Sequence, residues 1–164
     1  MMSPMKFRRE LAYEAGPDEV FAMLADPAFR EKVGAAQQVV SIEVTITPRG
    51  EGFALVSDQL QNTAGLPAIA KKIAGDSTQA IVREDWAGPR SGTIEITAPG
   101  KPTRAVGTIR LQAAGAGTTY VQELDVTVKV PLVGGKLEKV MADNIDNGLS
   151  VEHSTGIAWL KGER

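Results

Sequence analysis

The chain has 164 residues, 43% of them hydrophobic, and contains no cysteine. That is enough apolar material for one domain with its own core, and the missing thiols exclude disulfides, thiolate nucleophiles, zinc–thiolate sites and iron–sulfur clusters. Eighteen basic residues against 20 acidic ones leave a net charge of −2, too little field to hold a polyanion, so nucleic acid is not an expected partner.

No stretch approaches the roughly 18 apolar residues of a membrane span, and the first residues lack the charged and apolar regions of a signal peptide. A cytoplasmic location without stable membrane insertion is the expectation. Residues 1–164 read as a single domain, with no internal repeat and no low-complexity segment. Oligomeric state is not legible.

Residues 5–14 alternate Phe7, Arg9, Leu11 and Tyr13 against Lys6, Arg8, Glu10 and Ala12, the period of a strand. Lys6, Arg8 and Arg9 lie close to Glu10 and Glu14, as on a solvated strand face. Gly16-Pro17-Asp18 ends that strand, and Val20, Phe21 and Leu24 then recur at helical spacing until Asp26-Pro27 stops the run, since a residue before proline is pushed out of the α region. A second short helical turn covers 28–33 before Gly34. Val40, Ile42, Val44 and Ile46 next alternate with Val39, Ser41, Glu43 and Thr45, and Pro48 to Gly52 supplies the turn into an extended run over 53–60. Further extended runs cover 78–86, 93–98, 104–113 and 118–130, which makes seven strands joined mostly by short turns, the pattern of an antiparallel meander.

Between the third and fourth strands, Leu66, Ile69, Ala70 and Ile73 fall at i, i+3, i+4 and i+7, the mark of a short amphipathic helix. It reads either as a fixed cover over one end of an interior or as a lid that opens with Lys71 and Lys72 toward anionic lipid. After Pro131, residues 132–161 read as one long helix with Leu137, Val140, Met141, Ile145, Leu149, Ile157 and Leu160 on one stripe. About 25 residues at roughly 1.5 Å each cross a whole curled sheet. Gly148, Glu152 and Gly156 share one ridge of that helix, where small residues allow close approach or leave room for a guest.

The order strand, two short helices, six strands and long C-terminal helix resembles the START-like, or SRPBCC, superfamily. Its closest local carriers are the junction Gly16-Pro17-Asp18-Glu19-Val20-Phe21-Ala22-Met23-Leu24-Ala25-Asp26-Pro27 and Pro131 before the last helix. Gly65 to Lys72, followed by Arg83-Glu84-Asp85-Trp86, resembles an actinobacterial branch of undescribed function. The resemblance implies an α+β helix-grip fold, a seven-stranded curved antiparallel sheet wrapped around a long C-terminal helix, with a hydrophobic cavity between them. It implies no catalytic residue, because the constellations of the superfamily's cyclases and ring-hydroxylase domains are not recognisable in this chain.

Motifs for other chemistry are missing. His153 is the single histidine, Gly135-Lys136 lacks the rest of a phosphate-binding loop, Gly115-Ala116-Gly117 is not extended into a dinucleotide fingerprint, and no Gly-x-Ser-x-Gly occurs. No metal and no cofactor are expected, and Asp143, Asp146 and Glu152 read as a solvated helix face. Alternation nominates better candidates. If Val82 and Trp86 face inward so does Glu84, and Gln122 follows Tyr120, Leu124, Val126 and Val128 inward. Glu84 either orients a ligand's polar head, serves as an acid or base, or pairs with an arginine such as Arg104 or Arg110. His153 reads as a surface histidine bonded to a neighbour or as one facing the cavity, and Ser57 and Gln59 are further candidates for the lining.

The expected function is binding of a small hydrophobic or amphipathic ligand, lipid-like or polyketide-like, without catalysis. Glu84, Trp86, Tyr120, Gln122, Met141, Ile145 and Leu149 are the expected cavity residues, and Leu66, Ile69 and Ile73 the expected cover. Two alternatives stand beside it: a polyketide cyclase-like enzyme with Glu84 as base, and an interaction module with a filled core that binds through 66–73.

Overall fold

A computed structural model describes residues 4–164. In chain order the elements are β1 (Met5–Tyr13), α1 (Pro17–Leu24), α2 (Pro27–Ala36), β2 (Ser41–Arg49), β3 (Gly52–Asn62), α3 (Ala68–Ala74), β4 (Ser77–Trp86), β5 (Ser91–Thr97), β6 (Thr103–Ala114), β7 (Gly117–Val128) and α4 (Gly134–Leu160). The seven strands form one antiparallel sheet in the order β1-β7-β6-β5-β4-β3-β2. Strands β2 to β7 are therefore a meander, and β1 joins its far edge beside β7. This is the expected helix-grip architecture, with two short helices after the first strand and a long helix at the C-terminus.

Three helix boundaries differ from the pattern reading. Helix α2 runs on through Gly34, which is packed so closely on β2 that a Cβ there would lie 2.7 Å from Ile42 Cδ1. The glycine serves close packing rather than termination. Helix α3 begins at Ala68, with Pro67 as its N-cap, so Leu66 precedes the helix. Helix α4 begins two residues later than Leu132, whose φ of 71° is left-handed and cannot continue into a helix.

The inner face of the sheet carries the core. Leu11 and Tyr13 of β1, Trp86 of β4, Ile109 of β6, and Tyr120, Leu124 and Val126 of β7 are buried against Val20 and Leu24 of α1 and Phe29 of α2. Full burial of such a side chain contributes roughly 1.5–3 kcal/mol. On α4 the buried stripe is Leu149, Glu152, Gly156 and Trp159, one residue every three or four, whereas Ile157, expected inside, lies about 100° round the helix from Gly156 and is 37% exposed. Within β6, Gly107 sits between Ile94 and Leu124 where any Cβ would collide with the Glu123 carbonyl, so the strands can approach closely there.

Both edges of the sheet meet the helical layer. Helix α4 packs on β1 and β7, while α2 packs on β2 and on α4. Tied at its two ends in this way, the sheet leaves its middle strands β3 to β5 standing away from α4.

Candidate ligand cavity

Between those middle strands and α4 lies a cavity of about 630 Å³. Exposed Gln38, Asn62, Ala64, Asn144 and Asn147 rim its mouth. A hydrogen bond of 2.9 Å from Gln37 Nε2 to the Gly148 carbonyl clips α2 to α4 beside that rim.

The inner end of the cavity is charged. Phe29, Arg30 and Val33 form the buried face of α2, which carries a guanidinium into the interior. Arg30 Nη1 and Nη2 donate to Glu84 Oε2 and Oε1 at 3.0 and 2.8 Å, and its Nε donates to the Leu24 carbonyl at 2.7 Å. Trp86 Nε1 donates to Glu84 Oε1 at 2.9 Å, so both oxygens of that carboxylate are engaged. A second carboxylate, Glu152 of α4, brings Oε1 to 3.9 Å from Arg30 Nη1, while its Oε2 and the nearby core hydroxyl of Tyr13 have no partner among the described residues.

Two carboxylates thus share one cation, and the better bonds go to Glu84. Burial pushes the Glu152 carboxyl up to about 7; Arg30 opposes that rise and Glu84 adds to it. Burial works against the Arg30 cation, but the attraction of Glu84 and Glu152 more than offsets it and holds its proton tighter than usual. Tyr13 and Tyr120 are both pushed up, chiefly by burial, and stay neutral phenols.

The sequence candidates divide by depth. Glu84 and Gln122 line the cavity from the sheet, and Met141, Ile145 and Leu149 line it from α4. Ser57 and Gln59 line it from β3. Trp86 and Tyr120 do not reach it. They occupy the expected face of the sheet but lie further along their strands, where α1 covers it; Trp86 stacks on Phe53 at 5.6 Å, meets Phe21 edge-on at 5.7 Å, and lies 6.4 Å from Tyr120. Gln122 Nε2 donates to Tyr120 Oη at 3.0 Å, joining the two zones. Of the cover residues, Leu66 and Ile73 line the cavity, whereas Ile69 is 38% exposed, because the inward side of so short a helix centres on Ala70 and Ile73.

Other expectations need correction. Neither Arg104 nor Arg110 pairs with Glu84: strand alternation that turns Ala105 and Ile109 inward turns both arginines outward, to Glu95 and Glu123. Asp143 and Asp146 are surface groups paired with Lys139 and Arg9, but Glu152 belongs to the buried stripe. His153 faces β1, with Nε2 2.7 Å from the Ala12 carbonyl and its ring edge-on to Tyr13 at 5.1 Å. The basic cluster of β1 pairs Lys6 with Asp125 and Arg8 with Glu123.

Arg30 and the buried role of Glu152 escaped the pattern reading. Each nevertheless left a signal, a charge inside an apolar stripe: Arg30 between Phe29 and Val33, and Glu152 on the line Ile145, Leu149, Gly156, Trp159. Among the described residues, no group of His, Asp or Glu is placed to hold a metal ion. Among the same residues, no helix is long and apolar enough to cross a membrane.

This arrangement can be set beside known proteins. Residues 9–160 match the family model described as "Protein of unknown function (DUF2505)". The chain belongs to that family. No curated protein resembles this DUF2505 chain closely enough to count as a relative. Among solved structures it is similar to TTHA0849 from Thermus thermophilus, at 20% identity and a TM-score of 0.67 over 94% of this chain and 98% of that one. It is also similar to a START superfamily protein from Mycobacterium smegmatis, at 16% identity and a TM-score of 0.57 over 94% and 98% of the two chains. The di-domain ARO/CYC StfQ of the steffimycin biosynthetic pathway matches at 12% identity and a TM-score of 0.60, over 94% of this chain and 51% of that one. At such identities the likeness is one of fold, and the DUF2505 chain shares the START-like frame.

Proposed function

We propose that the protein binds a small hydrophobic or amphipathic ligand, lipid-like or polyketide-like, in this cavity and returns it unchanged. The observation that carries this reading is an interior of about 630 Å³ with Met141, Ile145 and Leu149 on one side and Glu84 and Gln122 on the other. Small-molecule sites occupy roughly 300–1,000 Å³ and combine apolar walls with a few polar groups that set orientation. An interior of that size also weighs against an interaction module built on a filled core.

The test is native mass spectrometry of protein purified from its natural source, followed by organic extraction of whatever it carries. A stoichiometric apolar or amphipathic molecule supports the reading. Protein that arrives empty and takes up no 1-anilinonaphthalene-8-sulfonate (ANS) refutes it and moves attention to the surface of residues 66–73.

One observation favours an enzymatic alternative, in keeping with the fold likeness to StfQ: a cavity-lining carboxyl, Glu152, that titrates at about 7. The general base of such a reaction would be Glu152 and not Glu84, whose oxygens are held by Arg30 and Trp86. Turnover of a bound polyketide-like chain with a rate that rises through pH 7, and loses that rise in Glu152→Gln, would decide for catalysis.

A further inference from the structure

Strand β3 changes character along its inward face. Phe53 and Leu55 are apolar, but Ser57, Gln59 and Gln61 follow on the same face, and these three line the cavity. They are bonded to one another: Gln61 Nε2 donates to Gln59 Oε1 at 3.1 Å, and Gln59 Nε2 donates to Ser57 Oγ at 3.0 Å. Successive inward positions on a strand lie nearly 7 Å apart, so the row extends for about 13 Å. Its inner two members have apolar flanks, since the register sets Ile42 and Ala80 beside Gln59, and Val44 and Val82 beside Ser57, while Gln61 lies beside Thr78. The row starts near the mouth, next to Asn62, and ends one inward position from Leu55, the register partner of Glu84.

Amides set among apolar side chains are costly unless something returns their hydrogen bonds. The internal ladder returns only some of them. An amide has two donor hydrogens and an acceptor oxygen, and a hydroxyl that accepts still has a proton to give. Each member therefore keeps hydrogen-bonding capacity for a guest lying along the strand, while Met141, Ile145 and Leu149 offer that guest only dispersion contacts.

From this we infer that the ligand is elongated and facially amphipathic, with hydroxyl or carbonyl oxygens along one edge laid on Ser57, Gln59 and Gln61 and its apolar face turned to Met141, Ile145 and Leu149 of α4. This rests on the cavity-binding reading and sharpens it, since a simple acyl chain would leave the row unanswered.

A matched pair of probes separates the possibilities. Cholate and 5β-cholanate share a skeleton and a carboxylate, but cholate carries hydroxyls on one face. Both are titrated below their micelle concentrations against protein loaded with ANS. Cholate is expected to displace the dye at a several-fold to roughly tenfold lower concentration, the size of one or two hydrogen bonds, although it is the less hydrophobic molecule. Gln59→Leu should remove or reverse that preference, and Ser57→Ala, a smaller change that keeps the fold if Gln59→Leu does not, should reduce it. Dye binding without preference for cholate, whether both probes compete equally, cholanate wins or neither competes, overturns the inference and leaves the cavity reading standing. Failure to bind ANS by protein that also carries no extractable ligand refutes both.

Discussion

The Arg30 guanidinium and the Glu84 carboxylate meet through two parallel hydrogen bonds, with their side chains only 8% and 3% exposed. One partner comes from the second short helix and the other from the fourth strand, 54 residues later. Removing one member of such a buried pair leaves an uncompensated charge and costs about 3–5 kcal/mol, whereas replacing both by apolar groups is often close to neutral. Arg30→Met should therefore lose about that much stability in urea unfolding, and Arg30→Met/Glu84→Leu should recover most of it. A double variant as weak as the single one would show that the pair itself, and not the unpaired charge, supports the fold.

Glu152 makes stability depend on pH. Its folded value of about 7 lies above the ordinary 4.5, so the folded state holds the proton more tightly than the unfolded chain does. The contribution is fully present below about pH 4.5 and is lost as pH rises through 7; the shift corresponds to about 3 kcal/mol. Glu152→Gln should flatten the fall in stability between pH 5 and 8, and should raise the melting temperature at pH 8 by roughly 6–12 °C for a chain of this size. Melting curves of both proteins at several pH values measure this directly, and equal slopes would disprove it.

Gly156 and Gly148 lie on the same helix ridge but should respond oppositely to alanine. At Gly156 a Cβ would stand 2.8 Å from Tyr13 Cε1, 3.0 Å from its hydroxyl and 3.2 Å from Met23 Cε, inside a packed core. Overpacking of this kind costs about 1–3 kcal/mol and outweighs the roughly 1 kcal/mol that alanine adds to helix propensity. At Gly148 the single close atom is the amide nitrogen of Gln37 at 3.3 Å, the end of a flexible side chain. Gly156→Ala should lower the unfolding midpoint, and Gly148→Ala should leave it unchanged or raise it.

Filling the cavity should separate folding from binding. Ile145→Trp adds bulk at a half-buried position that lines the cavity, so circular dichroism and the melting transition should stay close to those of the parent. Uptake of ANS should fall at least several-fold. Undiminished uptake would place the dye elsewhere on the molecule.

Seven strands, two short helices after the first of them and a long final helix could be read from the sequence, because period-two and period-3.6 patterns and Gly/Pro punctuation are local properties. The inward direction of Glu84 and Gln122 was legible for the same reason: alternation along a strand needs only one known neighbour. Depth was not. Alternation says which face a side chain occupies but not whether α1 or open space lies above it, so Trp86 and Tyr120 looked like cavity walls although they belong to the aromatic core. Partners were not legible either. Arg30 reaches Glu84 only because α2 folds back over the curled sheet, and Glu152 joins them only because α4 crosses the same space. Hydrogen bonds and ion pairs between distant segments depend on distances that tertiary packing alone establishes; the chain recorded them only as charges misplaced on apolar stripes.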